Sequence, residues 1–322
     1  MLARIASALL LLALVLSGAR AEAAEPATCR VGISVAALYD LDPAKGSFGA
    51  DLWLWSLCPT RELSPLARVK LPGARPGAEI GELRGEEVAG GYYESRFVRG
   101  TFRHRWDMRR YPFDRQRLVI RVEETELGAG HLVFAVDTAD SFVASEAVAE
   151  LGEWRVEDFR VLADVQQEES SYGFPEAERT RYAALEAVVE LQRAGVLTFV
   201  KLTLPVFAAA LFAVLCFYFD PRLPGSFQNQ VPILVAVLFA VIINHRRSDD
   251  LIGDVGRLTL VTEIHLATIL LTILIAVLVF RDRRRAERDL PVRYLDRTAI
   301  YATAAGYVTL VAGLILWAAV SG

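Results

Sequence analysis

Four long apolar segments follow residue 195 in this chain of 322 residues, and no other feature limits its possible folds as strongly. A helix that crosses the hydrocarbon core of a bilayer needs about 20 mainly apolar residues. The sequence therefore predicts a transmembrane domain over residues 196–322, built as a bundle of four helices. Their predicted ranges are 196–219, 227–245, 258–280 and 298–320.

Arginine residues in the connecting loops predict the orientation of these helices. The connector between the third and fourth segments is the richest, with Arg281, Arg283, Arg284, Arg285, Arg288, Arg293 and Arg297. The loop between the second and third segments carries only Arg246, Arg247 and Arg257. Since loops rich in positive charge stay in the cytoplasm, the connector is predicted to be cytoplasmic and the C-terminus to lie outside.

Residues 1–24 have the pattern of a secretory signal peptide, with Arg4 ahead of a short apolar run and small residues after it. An uncleaved membrane anchor is the alternative, although the apolar run is short for that role. Removal of a signal peptide would leave residues 25–195 outside the cytoplasm, where disulfides form.

Residues 25–195 are predicted to form a β-sandwich, because short alternating segments are separated by turn residues. The first two strands, near 30–36 and 47–57, fold back on each other and bring Cys29 almost opposite Cys58. This arrangement predicts a disulfide between them. Two unpaired thiols are the alternative, because a strand register can shift by one residue.

Composition and motifs argue against several classes of function. The formal net charge of −4 does not fit a nucleic-acid-binding protein. The four histidines, His104, His131, His245 and His265, have no spacing typical of metal ligands. The sequence also has no phosphate-binding loop and no nucleophile–base arrangement. We therefore expect no metal, no cofactor and no enzymatic activity.

The second apolar segment carries a stripe of seven residues at helical spacing. They are Gln228, Val231, Val235, Leu238, Ile242, His245 and Asp249. The centre of the stripe is apolar and its ends are polar. Several such helices around an axis would line a pore with hydrated mouths and a hydrophobic constriction. An ordinary buried helix whose ends reach the two interfaces is the alternative.

Two other pairs of residues allow more than one interpretation. Glu263 and His265 lie near the start of the third apolar segment, where ionisable groups are costly and often functional, unless they reach the interface. Tyr172 and Phe174 lie near the tip of a polar hairpin loop. They either cap a ligand site at a subunit interface or pack against the hairpin.

Residues 111–116 read Tyr-Pro-Phe-Asp-Arg-Gln and lie between two predicted strands. The residue before a proline is pushed out of the helical region, so the chain bends at this point. Tyr111 and Phe113 place two large apolar groups at the bend, beside the carboxylate of Asp114. A loop tip with this composition needs a surface to pack against.

This segment resembles the Phe-Pro-Phe-Asp-x-Gln loop of pentameric ligand-gated ion channels, the Cys-loop receptor superfamily. The order of an exported β-domain and four membrane segments is similar to that family as well. Arg193, ahead of Pro205, resembles the arginine that precedes the first membrane helix of the family. Residues 217–221, Phe-Tyr-Phe-Asp-Pro, are similar to its turn between the first and second helices. The short connector between the last two helices is typical of bacterial members.

The chain departs from the family pattern at several positions. His104 and Leu118 stand where animal members carry the loop cysteines, as expected of prokaryotic members. Cys29 and Cys58 are therefore not the family disulfide. The chain has no Trp-x-Pro-Asp motif ahead of the loop, and Pro232 near the start of the second helix is unusual.

The resemblance implies an extracellular β-sandwich followed by a four-helix transmembrane bundle, assembled as a homopentamer around a central pore. Each chain would contact membrane lipid and four further copies of itself in a bacterial inner membrane, with its N-terminal domain in the periplasm. Protons or an unknown small ligand would open the pore to inorganic ions. A non-conducting membrane sensor on the same fold is the alternative, because the uncharged residues 228–230 and Pro232 begin the second helix.

The resemblance also implies that the loop tip transmits movement between the two domains. The residues that would touch the membrane domain are Tyr111, Pro112 and Phe113. Asp114 would meet Arg193 and Asp42, the acid of the first hairpin turn. A carboxylate at a partly desolvated junction requires a cationic partner, and Arg193 supplies one.

Overall fold

The computed structural model describes residues 25–149, 151–167, 181–253, 256–292 and 297–320. The predicted signal peptide at 1–24 and the aromatic pair Tyr172 and Phe174 lie outside these residues. A β-sheet-rich N-terminal region is followed by four helices that are long and apolar enough to cross a membrane.

Eleven strands form two sheets in the described part of the N-terminal region. They are β1 (Ala27–Asp42), β2 (Ser47–Cys58), β3 (Val69–Lys70), β4 (Glu79–Ile80), β5 (Arg84–Val88), β6 (Gly91–Arg103), β7 (Arg115–Gly128), β8 (Leu132–Val136), β9 (Phe142–Val143), β10 (Trp154–Gln167) and β11 (Arg181–Arg193). The seven-stranded sheet has the order β4-β6-β2-β1-β8, with β5 paired to β6 and β9 to β1. The four-stranded sheet has the order β10-β11-β7-β3.

The strand β1 shows why these residues form a sheet. Its β-branched residues Val31, Ile33 and Val35 alternate and are buried, as one face of a half-buried strand requires. The antiparallel register pairs Arg30 with Leu57, which brings the neighbouring Cys29 and Cys58 together. A disulfide joins these two cysteines, whose Cα atoms lie 4.4 Å apart.

One buried apolar cluster contains side chains of both sheets. The seven-stranded sheet contributes residues such as Ile33 and Phe102, and the four-stranded sheet contributes Leu118 and Leu191. Each fully buried side chain of this size stabilises the fold by about 1.5–3 kcal/mol. The same cluster also includes Leu202, Ile252 and Val261 of the apolar helices, so no solvent layer separates the two regions at these positions.

Helices complete the described chain. They are the short α1 (Ser145–Ala149) and the four apolar helices α2 (Val196–Leu215), α3 (Ser226–Ile252), α4 (Leu260–Glu287) and α5 (Arg297–Val320). A single turn of 3₁₀ helix, Cys216–Tyr218, extends α2. Within the most apolar stretch of each long helix, the share of buried residues is smallest in α5 and largest in α4.

Two of these helices continue past their predicted ends. The hydrophobic pattern predicts the second helix to end at 245 and the third at 280, but α3 continues to Ile252 and α4 to Glu287. The hydrophobic pattern identifies only the apolar part of a helix. The helical backbone continues through charged residues such as Arg284, which this pattern does not count. Gly253, with φ of 76°, ends α3 because only glycine adopts that conformation without strain.

Candidate coupling site between the sheets and the helices

Arg193 is the last residue of β11 and lies three positions before the start of α2, so it stands at the junction of the two regions. Its Nε donates a hydrogen bond to Asp114 Oδ1 at 2.8 Å. The exposed fractions of the two side chains are only 8% and 1%. The main-chain N–H of Arg193 also donates to the carbonyl oxygen of Asp114 at 3.1 Å. The predicted pair of the loop carboxylate and the junction arginine is therefore present and almost completely buried.

Glu153 is the second acid at this site. Arg193 Nη1 donates to its Oε1, and Thr198 Oγ1, in the first turn of α2, donates to its Oε2 at 2.9 Å. The carbonyl oxygen of Glu153 accepts from Ala194 N at 2.7 Å. One glutamate thus joins the end of β11 to the beginning of α2 through three hydrogen bonds.

Two aromatic rings enclose the guanidinium of Arg193. Its central carbon lies 4.0 Å from the centroid of the Trp154 ring and 5.0 Å from that of Tyr111. A cation over an aromatic face is attracted by the ring quadrupole, and more strongly where water is excluded. The same burial raises the pKa of the Tyr111 hydroxyl above its ordinary value. Tyr111 thus contributes to the buried charge cluster as well as to the loop tip.

Gln116 completes the environment of Asp114. Its Nε2 donates to Asp114 Oδ2 at 2.8 Å and to the carbonyl oxygen of Asp107 at 3.0 Å. Its Oε1 accepts from Asp107 N at 3.1 Å. Both oxygens of the Asp114 carboxylate are therefore occupied, and the glutamine of the loop motif holds the bend closed.

The loop tip contacts the beginnings of two apolar helices. The Phe113 and Phe199 rings have centroids 5.3 Å apart, which places the loop against α2. The carbonyl oxygen of Arg109 accepts from Leu260 N, the first residue of α4, at 2.9 Å. A Cβ added to Gly195 would overlap the main chain of Pro112, so only glycine permits this approach. The peptide bond before Pro112 is cis.

The first hairpin turn contacts the end of α3. A Cβ added to Gly253 would lie 2.5 Å from the Cα of Ala44, so these two chain segments are in close contact. The sheet region therefore reaches α2, α3 and α4 at separate points. These contacts fit the expectation that the loop and the hairpin turn meet the helices at one junction.

The structure corrects the expected position of Asp42. Instead of meeting Asp114 and Arg193, its carboxylate accepts from Lys45 N at 2.9 Å and pairs with Lys45 Nζ at 2.7 Å. These contacts with Lys45 hold the pKa of Asp42 below its ordinary value. Lys45 lies only three positions from Asp42 in the same turn. This short separation brings its ammonium group to the Asp42 carboxylate. Glu153 takes the place expected for Asp42.

No local motif marks Glu153 as part of this site. It precedes Trp154, and the antiparallel register of β10 and β11 pairs Trp154 directly with Arg193. The acid reaches the junction through strand pairing between residues about 40 positions apart in the chain. Sequence alternation predicts that strands exist here, but it does not say which residues pair.

The predicted pore-lining stripe lies on a partly exposed side of α3. Gln228, Val235, Ile242 and Asp249 are exposed, whereas Val231, Leu238 and His245 are half-buried. His245 is partly covered because its ring lies 5.4 Å from that of His265. The exposed face also includes Phe239, Ile243 and Arg246, which the predicted stripe omits. The stripe therefore lies towards one edge of that face.

A polar contact inside the helices links α2, α3 and α4 at one depth. Asn244 Nδ2 donates to the carbonyl oxygen of Leu202 at 2.6 Å and contacts His265 Nε2 at 2.9 Å. His265 Nδ1 lies 2.7 Å from the carbonyl oxygen of Val261 and must donate to it, which leaves Nε2 as the acceptor. His265 is fully buried, and its role in this contact is structural.

Within the described residues, no group of three or more His, Cys, Asp or Glu side chains is arranged to hold a metal ion. Comparison with models of known protein families finds no match to this chain, and no curated protein matches it either.

Proposed function

We propose that this chain is one subunit of a homopentameric ion channel, gated by a small ligand or by protons, of the family that its sequence resembles. The N-terminal sheets would form a ligand-responsive β-sandwich on the periplasmic side of a bacterial inner membrane. Helices α2 to α5 would cross that membrane, with α3 nearest to the pore axis and the C-terminus outside. Inorganic ions would pass along the axis.

The observation that carries this proposal is the buried cluster of Asp114, Arg193 and Glu153 at the start of α2. Removing one member of a buried ion pair costs about 3–5 kcal/mol. Closed and open states of a bistable protein typically differ by only a few kcal/mol. A movement of the sheets is therefore passed to α2, because breaking the cluster would cost more than the conformational change itself.

The character of α3 supports a pore at the centre of the assembly. Between Pro232 and Ile243 the exposed face of α3 is apolar and includes Val235 and Phe239, which are 46% and 62% exposed. A ring of five such faces would make a hydrophobic constriction between polar mouths. Constrictions of this kind close by losing water and open by a small widening.

The test is to reconstitute the purified protein in a lipid bilayer and record current during pH steps and addition of a ligand panel. Cysteine variants in a Cys216→Ala background then identify the pore helix. We expect a charged thiol reagent to block current through Val235→Cys and to leave Val237→Cys unchanged, because Val237 is buried within the protomer. A verified pentamer without current under any condition would contradict the proposal.

A non-conducting membrane sensor on the same fold is the second candidate. Phe239 and Ile243 favour it, because five copies of these bulky exposed side chains would narrow an axial passage. On this reading, ligand binding still changes the conformation of the helices. If the protein is such a sensor, the pentamer binds ligand and carries no current. The Phe239→Ala variant, with a wider passage, should carry no current either.

A further inference from the structure

An open cleft of about 610 Å³ lies between the sheets and the connection from α3 to α4. The sheets line it with residues 43–46 of the first hairpin turn and with residues 104–107, and the helix region lines it with Arg257. Pockets that hold small molecules commonly have a volume of about 300–1,000 Å³. Since neither Asp114 nor Arg193 lines the cleft, it is distinct from the coupling site described above.

Positive charge predominates in the described lining of this cleft. Lys45, Arg105 and Arg257 are cationic, whereas Asp107 is acidic. Lys45 is neutralised by Asp42 in its own turn. Arg105 and Arg257 are exposed, and neither forms an ion pair with any residue that the structure describes. One guanidinium group from each region is therefore left without an anion.

The acid of the lining does not supply that anion. Asp107 is held by Arg109, whose Nε and Nη2 donate to its two oxygens at 2.9 Å and 2.5 Å. This pairing lowers the pKa of Asp107 below its ordinary value, and the positive charge of Arg257 contributes to the same shift. Arg257 therefore lies within electrostatic reach of the sheets, although it donates no hydrogen bond to the described part of the chain.

Two other donors at the cleft lack an acceptor. Trp106 lines the cleft and is 7% exposed, and its indole Nε1 is buried without a hydrogen-bond partner. Arg75 donates from Nη2 to the carbonyl oxygen of Lys45, and its Nε is likewise buried without a partner. A buried donor without an acceptor costs free energy, which a ligand oxygen within its reach removes.

We propose that this cleft binds a soluble phosphate-bearing anion between Arg105 of the sheets and Arg257 of the helix region, with the indole N–H of Trp106 as a third donor. The planar N–H groups of a guanidinium match phosphate oxygens, and such charge-assisted hydrogen bonds are strong. Phosphate presents oxygens on several sides, as two arginines from different regions require, whereas the two oxygens of a carboxylate lie on one side.

The lining favours a soluble anion over a membrane lipid. Apart from Trp106, it has no large apolar side chain against which an acyl chain could pack. A bound anion would join the first hairpin turn to the connection between α3 and α4 by charge, at a point separate from the Asp114–Arg193 pair. This binding requires neither a pentamer nor a pore, so it can be tested independently of the proposed function.

Isothermal titration calorimetry of the purified protein with pyrophosphate, at constant ionic strength, tests the site. We expect saturable binding that is about tenfold weaker in Arg105→Gln and in Arg257→Gln, as for the loss of one charge-assisted contact. The matched controls are Arg155→Gln in β10 and Arg247→Gln in α3, which remove exposed arginines outside the cleft and should keep the wild-type affinity. No binding by the wild type, or equal losses in the controls, would overturn the inference.

Hydrogen–deuterium exchange tests whether the anion joins the two regions. We expect pyrophosphate to slow exchange both in residues 43–46 and in residues 256–258 of the wild-type protein, and to have a smaller effect on both segments in Arg257→Gln. Slower exchange in only one of the two segments of the wild type would overturn the proposed bridge.

The same titration in lipid nanodiscs identifies the source of the phosphate group. We expect equal affinity for pyrophosphate in nanodiscs of phosphatidylcholine and of phosphatidylglycerol. Loss of binding only in phosphatidylglycerol would show that an anionic lipid headgroup occupies the cleft, and would overturn the assignment to a soluble anion. None of these failures bears on ion conduction, so the channel proposal would stand.

Discussion

The carboxylate of Asp114 and the guanidinium of Arg193 lie 2.8 Å apart, and both side chains are almost fully withdrawn from solvent. Asp114 directly precedes β7, and Arg193 ends β11, the strand that leads into α2. The pair therefore fastens the aromatic loop to the one covalent connection between the sheets and the helices.

Asp114→Ala is expected to destabilise the protein by about 3–5 kcal/mol, because it leaves Arg193 buried without this partner. If the chain is the proposed channel, the same variant is expected to abolish ligand-evoked current. Thermal unfolding and bilayer recordings measure the two effects. The control is Arg109→Ala, which breaks an exposed pair with Asp107 and should cost less than about 1 kcal/mol. An Asp114→Ala protein with the stability and current of the wild type would contradict the role of the pair.

Glu153→Gln is expected to shift the ligand or proton concentration for half-maximal current, because it removes one charge next to Arg193 and weakens the link to Thr198. The sheets should keep their circular dichroism spectrum. Asp42→Asn is the comparison, since the Asp42 carboxylate contacts only its own turn through Lys45. A larger shift for Asp42→Asn than for Glu153→Gln would restore the assignment made from sequence.

The contact of Phe113 with Phe199 is expected to couple the loop to α2 energetically. In a double-mutant cycle with alanine at both positions, the coupling should be about 0.5–1.5 kcal/mol, as for other aromatic pairs. In the proposed channel, both single variants should bind ligand and open less often than the wild type. Strictly additive effects on channel opening would show that the two rings do not act together.

His104 is expected to make the stability of the sheets depend on pH. Burial beside Phe48 and Trp106 lowers the pKa of His104 below its ordinary value of 6.5. The unfolded chain therefore binds this proton more readily than the folded chain, so stability is present above pH 6.5 and is lost as the pH falls below it.

The unfolding temperature between pH 7.5 and pH 5 checks this expectation. His104→Gln, which keeps a polar group near Gln116, should reduce the loss of stability on acidification. His131→Gln should not, because His131 is exposed. An unchanged pH dependence in His104→Gln would assign the acid sensitivity to other groups.

Much of the architecture could be predicted from local patterns. Runs of apolar residues marked the four helices, and alternation in β1 and β2 marked the strands that bring Cys29 to Cys58. These features depend on the spacing of residues close together in the chain. The aromatic loop at 111–116 likewise required a surface to pack against, whatever that surface was.

The partner of that loop was decided only by the tertiary structure. Arg193 could be predicted from a resemblance, but Glu153 could not, because strand pairing brings it to the junction and no motif marks it. Asp42 was the expected acid, yet Lys45 in the same turn satisfies it. The exposed face of α3 was likewise decided by tertiary structure, because neighbouring helices bury the opposite side of this helix. Sequence spacing determines which residues share a face, whereas long-range packing determines what that face meets.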